Sequence, residues 1–196
     1  MLTTEVRRAV SFTVVTMLLF GGTYHVALWA LGQAAFPLQV EGSLIRRDDG
    51  TVVGSRLIAQ AFTGPQYFYS RPSAVDYNAA STGGSNFGPS NPDHLAAMQE
   101  RLSAITARES VPASQVPSEM VTASGGGLDP HIPPSAAELQ VRRVASARGV
   151  PVERVRMLIE THTELPTFGF LGRARVNVLE LNLALDDACG ASSSNR

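Results

Sequence analysis

Cysteine is almost absent: the 196-residue chain carries one, Cys189. A single thiol excludes an intramolecular disulfide and a cysteine zinc cluster. It does not locate the protein, because one thiol is harmless in an oxidising compartment. Excess charge of either sign is also lacking. The net charge of -1 argues against a nucleic-acid surface, which needs clustered cations. There is no G-x-x-x-x-G-K-[ST] phosphate loop, no H-E-x-x-H, no G-x-S-x-G elbow and no kinase motif set. An Asp-Lys-Thr-Gly-Thr segment able to form an aspartyl-phosphate is missing as well. The chain is not expected to hydrolyse ATP by itself.

Long apolar runs are scarce too, and the single one is decisive. Val10 to Leu31 carries no acidic or basic residue apart from His25, and as a helix it spans roughly 33 Å, enough for the bilayer core. A cleaved signal peptide is the competing reading, with Arg7 and Arg8 as its basic start. The run is longer than the usual apolar region, and Ala30-Leu31-Gly32 and Gly32-Gln33-Ala34 match a cleavage site poorly. A retained span is expected. Arg7 and Arg8 abut it, whereas the next cations are Arg46 and Arg47. The positive-inside tendency therefore predicts a cytoplasmic N-terminus (1–9), a span (10–31) in the cell membrane, and a domain (32–186) on the outer side, followed by a tail (187–196). Gly21, His25 and Trp29 recur every four residues and share one helical face. They are candidate contacts for a partner helix, with Trp29 at the lipid interface.

About 165 residues follow the span, enough for one real core. Gln33–Val40 reads as a connector. Gly42–Arg47 and Thr51–Ala61 flank Asp48-Asp49-Gly50 as a hairpin. Phe62–Pro92 is rich in Gly, Pro, Ser and Asn, yet holds too many aromatics to be disordered. Asn91-Pro92 opens a helix with Leu95, Met98, Leu102 and Ile105 as its inward stripe. Val111–Val121 is a connector ending in a short strand. A helix follows Pro133-Pro134-Ser135, with Val141, Val144 and Ala145 inward and Gly149 as its stop; another starts at Pro151, with Val152, Val155 and Ile159 inward. In Val176–Asp186 the alternating leucines suggest a strand, but Asn177 with Glu180 resembles a capping box, which favours a helix. The fold class is α+β: one N-terminal transmembrane helix and a single mixed α+β extramembrane domain. A helix-turn-helix around Gly149 fits neither the anchor nor the charge balance.

Three polar loops concentrate Gly, Pro, Ser and Asn: Phe68–Ala74, Ser81–Pro89 and Val121–Ile132. Glycine pairs expose N–H groups that can cradle an anion or admit a partner, and Arg71 can complete an anion site. Turning the chain is the commoner role of such loops. Asp129 with His131 could be an acid–base pair or two metal ligands, which would make a membrane-tethered hydrolase. No third ligand is in view, so a turn leading into a helix is the simpler reading. His94 and His162 read as surface or capping residues.

The order of these segments resembles the KdpC family of the Kdp potassium-transporting ATPase. Its marks here are Tyr67-Phe68, Arg71-Pro72-Ser73-Ala74, Tyr77 and Gly83-Gly84-Ser85-Asn86-Phe87-Gly88-Pro89. Further along come Val121-Thr122, Ser124-Gly125, Gly127-Leu128-Asp129-Pro130-His131-Ile132, Gln140, Arg143-Val144-Ala145, Ala147-Arg148-Gly149, Arg175-Val176-Asn177-Val178-Leu179 and Leu181-Asn182. Pro133-Pro134, Ala123 and Gly126 depart from the pattern. The resemblance implies a non-catalytic subunit of a high-affinity potassium uptake complex. Its partners would be a channel-like potassium-binding subunit, a P-type ATPase subunit and a small single-span subunit. The family is described as a catalytic chaperone raising the ATP affinity of the ATPase subunit. Its Ser81–Asn86 segment, likened to the ABC-transporter signature loop, would make Ser81, Gly83, Gly84, Ser85 and Asn86 the nucleotide contacts of a cytoplasmic-side regulator. An outer domain cannot meet cytoplasmic ATP, so Arg71, Asn86, Asp129 and His131 are instead expected to contact the channel-like subunit. No metal site and no catalytic residue are expected, and no tightly held cofactor.

Overall fold

The computed structural model describes residues 2–47 and 49–189, and the chain divides between Leu44 and Ile45 into two units. The first unit is dominated by one continuous helical rod. It comprises α1 (Leu2–Thr16), a π-helical stretch (Met17–Thr23) and α2 (Tyr24–Ala35). Residues 3–35 are long and apolar enough to cross a membrane, and none of the most apolar stretch is buried. The rod extends past the predicted 10–31 at both ends. Glu5 and Arg8, 2.7 Å apart, mark its polar beginning. The expected connector 33–40 is instead helical: α2 runs to Ala35 and α3 occupies Pro37–Val40, where Pro37 stands at a position that needs no amide donor.

The π stretch was not foreseen. Tyr24 N–H donates to Leu19 O, five residues back, the bond that defines this wider turn. His25 Nδ1 lies 2.9 Å from Phe20 O. A carbonyl only accepts, so Nδ1 carries the proton and one His25 nitrogen is satisfied within its own helix.

In the second unit, β1 (Leu44–Arg46) pairs with β2 (Val52–Ser55). The predicted hairpin is present, but its second arm stops at Ser55 and not at Ala61. Asp48, placed in its turn, lies outside the described residues. Residues 62–90 form no helix or strand, as expected. Helix α4 (Pro92–Glu109) starts with the Asn91 side chain accepting the Asp93 N–H at 2.8 Å. Ile105 is buried and Met98 and Leu102 pack against the core, but Leu95 faces solvent, a correction to the predicted stripe. The strand expected before Gly125 is a helical turn, α5 (Ser118–Val121), because Pro117 has no N–H to give a ladder and the acidic Glu119 suits a first helical turn.

Helices α6 (Pro134–Arg148) and α7 (Val152–Thr161) are separated by Gly149, whose φ of 65° is the left-handed stop that glycine permits. His162 closes α7, its Nδ1 2.8 Å from Leu158 O. Three strands escaped the sequence reading: β3 (His131–Ile132), β4 (Thr163–Glu164) and β5 (Arg175–Asn177). They form an antiparallel sheet in the order β3-β5-β4, with Ile132 and Thr163 opposite Val176. The last helix, α8 (Val178–Cys189), follows β5 directly. Asn177 Oδ1 accepts the N–H groups of Leu179 and Glu180 at 3.1 and 3.2 Å, and Asn177 itself stays in the strand. Of the predicted tail, residues 187–189 are helical and 190–196 lie outside the described residues. The core gathers Val141, Val144, Val155, Val176, Leu181 and Leu185 around Phe68.

Candidate functional site

Phe68 belongs to the irregular segment, so that segment crosses the core without a sheet to satisfy its backbone. Buried side chains substitute for one. Asn182 Oδ1 accepts the Phe68 N–H at 2.8 Å and its Nδ2 donates to Phe68 O at 3.0 Å. Gln140 does the same for Tyr69, at 2.8 and 3.3 Å. Arg143 donates to the carbonyls of Pro65 and Tyr67, and Arg148 to that of Gln66. The guanidinium groups of Arg108 and Arg143 both lie over the Tyr69 ring, 4.5 and 4.2 Å from its centroid, a contact suited to planar cations. Both arginines bind the buried carboxylate of Glu109. All sixteen basic residues of the chain are arginine.

This strap fixes the start of the polar loops. Arg71 Nη1 donates to Asp129 Oδ2 at 2.9 Å, joining residues 58 positions apart. The Tyr77 hydroxyl donates to Arg71 O, and burial raises the Tyr77 phenol above its usual range. Asp129 Oδ1 accepts the His131 N–H at 3.0 Å, with the His131 ring at 3.5 Å. Burial alone would raise the Asp129 carboxyl. The pull of the His131 ring and N–H and of Arg71 outweighs it and holds the group at about 2. A carboxylate so strongly held as the anion is a poor general base. With Glu119, Arg173 and Arg175 the three line an open cleft of about 360 Å³, and Arg71 Nε is buried without a partner. Among the described residues, no group of three His, Cys, Asp or Glu side chains could hold a metal.

The folded value of Asp129 lies below its ordinary 3.8. Its stabilising contribution is thus present above pH 4 and lost as the pH falls towards 2. Asp129→Asn is expected to destabilise the chain by about 1 kcal/mol at pH 7, discounted for partial exposure. In urea denaturation the variant and the parent should converge near pH 2.

The glycine loops pack on each other. Gly83 N–H donates to Gly126 O at 3.1 Å, as does Thr82 Oγ1. A Cβ on Gly84 would lie 2.7 Å from Gly125 O, and one on Gly127, where φ is 71°, 2.5 Å from Val75 Cγ2. Gly127→Ala is expected to cost about 1–3 kcal/mol; Gly125→Ala, in open space, should fall within about 0.5 kcal/mol of the parent. Thermal denaturation of both variants checks the pair. Ser81, Ser85 and Asn86 are exposed, and Asn86 takes a φ of 55°. Ser81–Asn86 therefore has fewer free donors than its composition suggests. In the anchor, Gly21, His25 and Trp29 are exposed, and nothing lies within 4 Å of a Cβ built on Gly21.

The structure thus joins Arg71, Asp129 and His131 in one cluster. It sets Ser81–Asn86 against the second glycine loop and leaves Gly21, His25 and Trp29 in the first unit. The strap residues Gln140, Asn182, Arg143 and Glu109 were not foreseen as positioning groups. Their signal was polarity inside otherwise apolar helix faces.

A family profile described as "K+-transporting ATPase, c chain" matches residues 6–187. The chain belongs to the KdpC family. A potassium-transporting ATPase KdpC subunit of Polaromonas naphthalenivorans is 51% identical over 183 residues, 92% of this chain and 93% of that one. One from Shewanella putrefaciens is 52% identical over 170 residues, 85% and 83% of the two chains. One from Geobacter sulfurreducens is 46% identical over 185 residues, 93% and 97%. The match takes in most of the apolar rod and both polar-loop clusters, so this KdpC chain is a subunit of a potassium-transporting ATPase with one N-terminal helix fit for a membrane.

Proposed function

We propose that this chain is the non-catalytic accessory subunit of an ATP-driven potassium uptake complex. It is held in the cell membrane by its N-terminal helix, with its domain on the outer face against the channel-like potassium-binding subunit. The carrying observation is family membership over residues 6–187 together with one exposed apolar helix. The outer placement rests on Arg7 and Arg8 before the span and the lack of cations after it until Arg46. Arg71, Asn86, Asp129 and His131 meet the channel-like subunit, and the anchor packs through Gly21, His25 and Trp29 against helices of the complex, including those of the P-type ATPase subunit and the small single-span subunit. Any effect on ATP affinity then passes through the ATPase subunit and not through direct contact. In support, the Gly83 N–H is already bonded and Gly84 abuts the facing backbone.

Affinity purification of the tagged full-length chain from potassium-starved cells tests this. The other subunits are expected to co-purify, and Gly21→Leu should reduce their recovery several-fold while leaving the chain in the membrane. Undiminished recovery contradicts the packing of the anchor. A chain that purifies alone, and whose loss leaves growth on limiting potassium unchanged, contradicts the whole reading.

A further inference from the structure

The segment between β4 and β5 is built as a prong. Thr167 N–H donates to Leu171 O and Leu171 N–H to Thr167 O, both at 2.9 Å, which closes a three-residue tip. Phe168 and Gly169 both have positive φ, 55° and 81°; for a bulky aromatic residue that is a strained conformation. The strain serves no internal packing. Phe168 is 84% exposed, Phe170 75%, Leu165 77% and Leu171 52%. Nowhere else in the described part of the second unit do four large apolar residues stand so exposed within seven positions. They are used neither by the core nor by the Arg71–Asp129 cluster.

We propose that this prong is a second membrane contact, inserting Phe168 and Phe170 into the lipid surface of the bilayer that holds the anchor; the proposal rests on the membrane-anchored reading above. Three observations select lipid as the occupant. Between Leu165 and Gly172 the only polar side chain is that of Thr167, whereas a protein groove normally adds hydrogen bonds at its rim. The flanking charges are Glu164 on one side and Arg173 and Arg175 on the other. Arg175 is engaged by Glu164 at 2.8 Å, but the Arg173 side chain is 90% exposed, with one long contact of 3.5 Å to Glu119. The free charge at the base of the prong is thus cationic, complementary to anionic headgroups. Finally, eight residues, 36–43, join α2 to β1. Even fully extended they reach only about 30 Å. The tether keeps the domain near lipid, where a modest apolar contact is amplified by effective concentration.

The test uses the full-length chain in nanodiscs of phosphatidylcholine and phosphatidylglycerol. Trp29 is the only tryptophan, so Phe170→Trp in a Trp29→Phe background carries a single reporter at the tip; Phe168→Trp is the second variant. The expected result is blue-shifted emission, with most of it lost when the lipids are brominated. Replacing phosphatidylglycerol by phosphatidylcholine should weaken the quenching. Emission of a water-exposed tryptophan, indifferent to bromolipid, overturns the proposal. A blue shift that appears only with the other subunits present, and without quenching, assigns the tip to a protein groove and also overturns it. The parent chain is the control. Quenching of Trp29 with a silent tip refutes the prong alone, whereas loss of both signals refutes the anchor with it.

Discussion

Replacing Glu109 with alanine is expected to destabilise the domain by about 3–5 kcal/mol, the range for a buried ion pair that loses one partner. The Glu109 side chain is 1% exposed, and Arg143 Nε sits 3.0 and 3.1 Å from its two oxygens. Without the carboxylate, Arg143 stays buried beside Arg108 with its charge uncompensated. The same guanidinium donates to the carbonyls of Pro65 and Tyr67 and lies over Tyr69, so the loss propagates into the strap. Urea denaturation of the detergent-solubilised chain, followed by circular dichroism, measures it. An unchanged midpoint would show that the pair stabilises nothing. Glu109→Gln, which keeps one acceptor oxygen, should fall between the two.

Asn182→Leu should be nearly as harmful, for a different reason. Leucine is close in size and more apolar, so packing alone predicts a mild effect. Yet it strips the side-chain partner from both the Phe68 N–H and the Phe68 C=O, and Phe68 is fully buried. At about 1–3 kcal/mol for each unsatisfied group, the expected loss is about 2–5 kcal/mol. Hydrogen exchange separates this from general loosening: protection at the Phe68 amide should fall far more than at α7 amides such as Val155. If both fall equally, the amide bridge is not the cause. Because Arg71 lies three residues beyond Phe68, the variant should also displace the Arg71–Asp129 pair and lower recovery of the complex.

Why these residues matter was only partly readable in advance. Helices α4, α6 and α7 were legible because each combines a stop or start signal with apolar spacing of three and four. Helix α8 was legible through Asn177, whose side chain does bond the first turn. Strands of two or three residues carry no period, so β3, β4 and β5 were invisible, and with them the sheet that seats His131 opposite Asn177. Pro37 and Pro117 read as breaks in a connector, yet each begins or precedes a helical turn. Leu95 obeyed the stripe and still faces water, because the periodic pattern gives a helix face but not where its partner ends. At the candidate site, Arg71, Asp129 and His131 could be named from loop chemistry, but their meeting depends on contacts 58 residues apart. The glycines were visible; their reason, backbone packed on backbone between Gly84 and Gly125 and around Gly127, was not.

The central claim is that a transporter subunit of the KdpC family carries its domain outside the cell, beyond the reach of cytoplasmic ATP. Ser114 stands on an exposed turn of the domain. A Ser114→Cys variant with Cys189→Ser offers one thiol to a membrane-impermeant maleimide. With the domain outside, intact potassium-starved cells are predicted to label as fully as lysed ones. Labelling only after lysis would place the domain in the cytoplasm and contradict the claim.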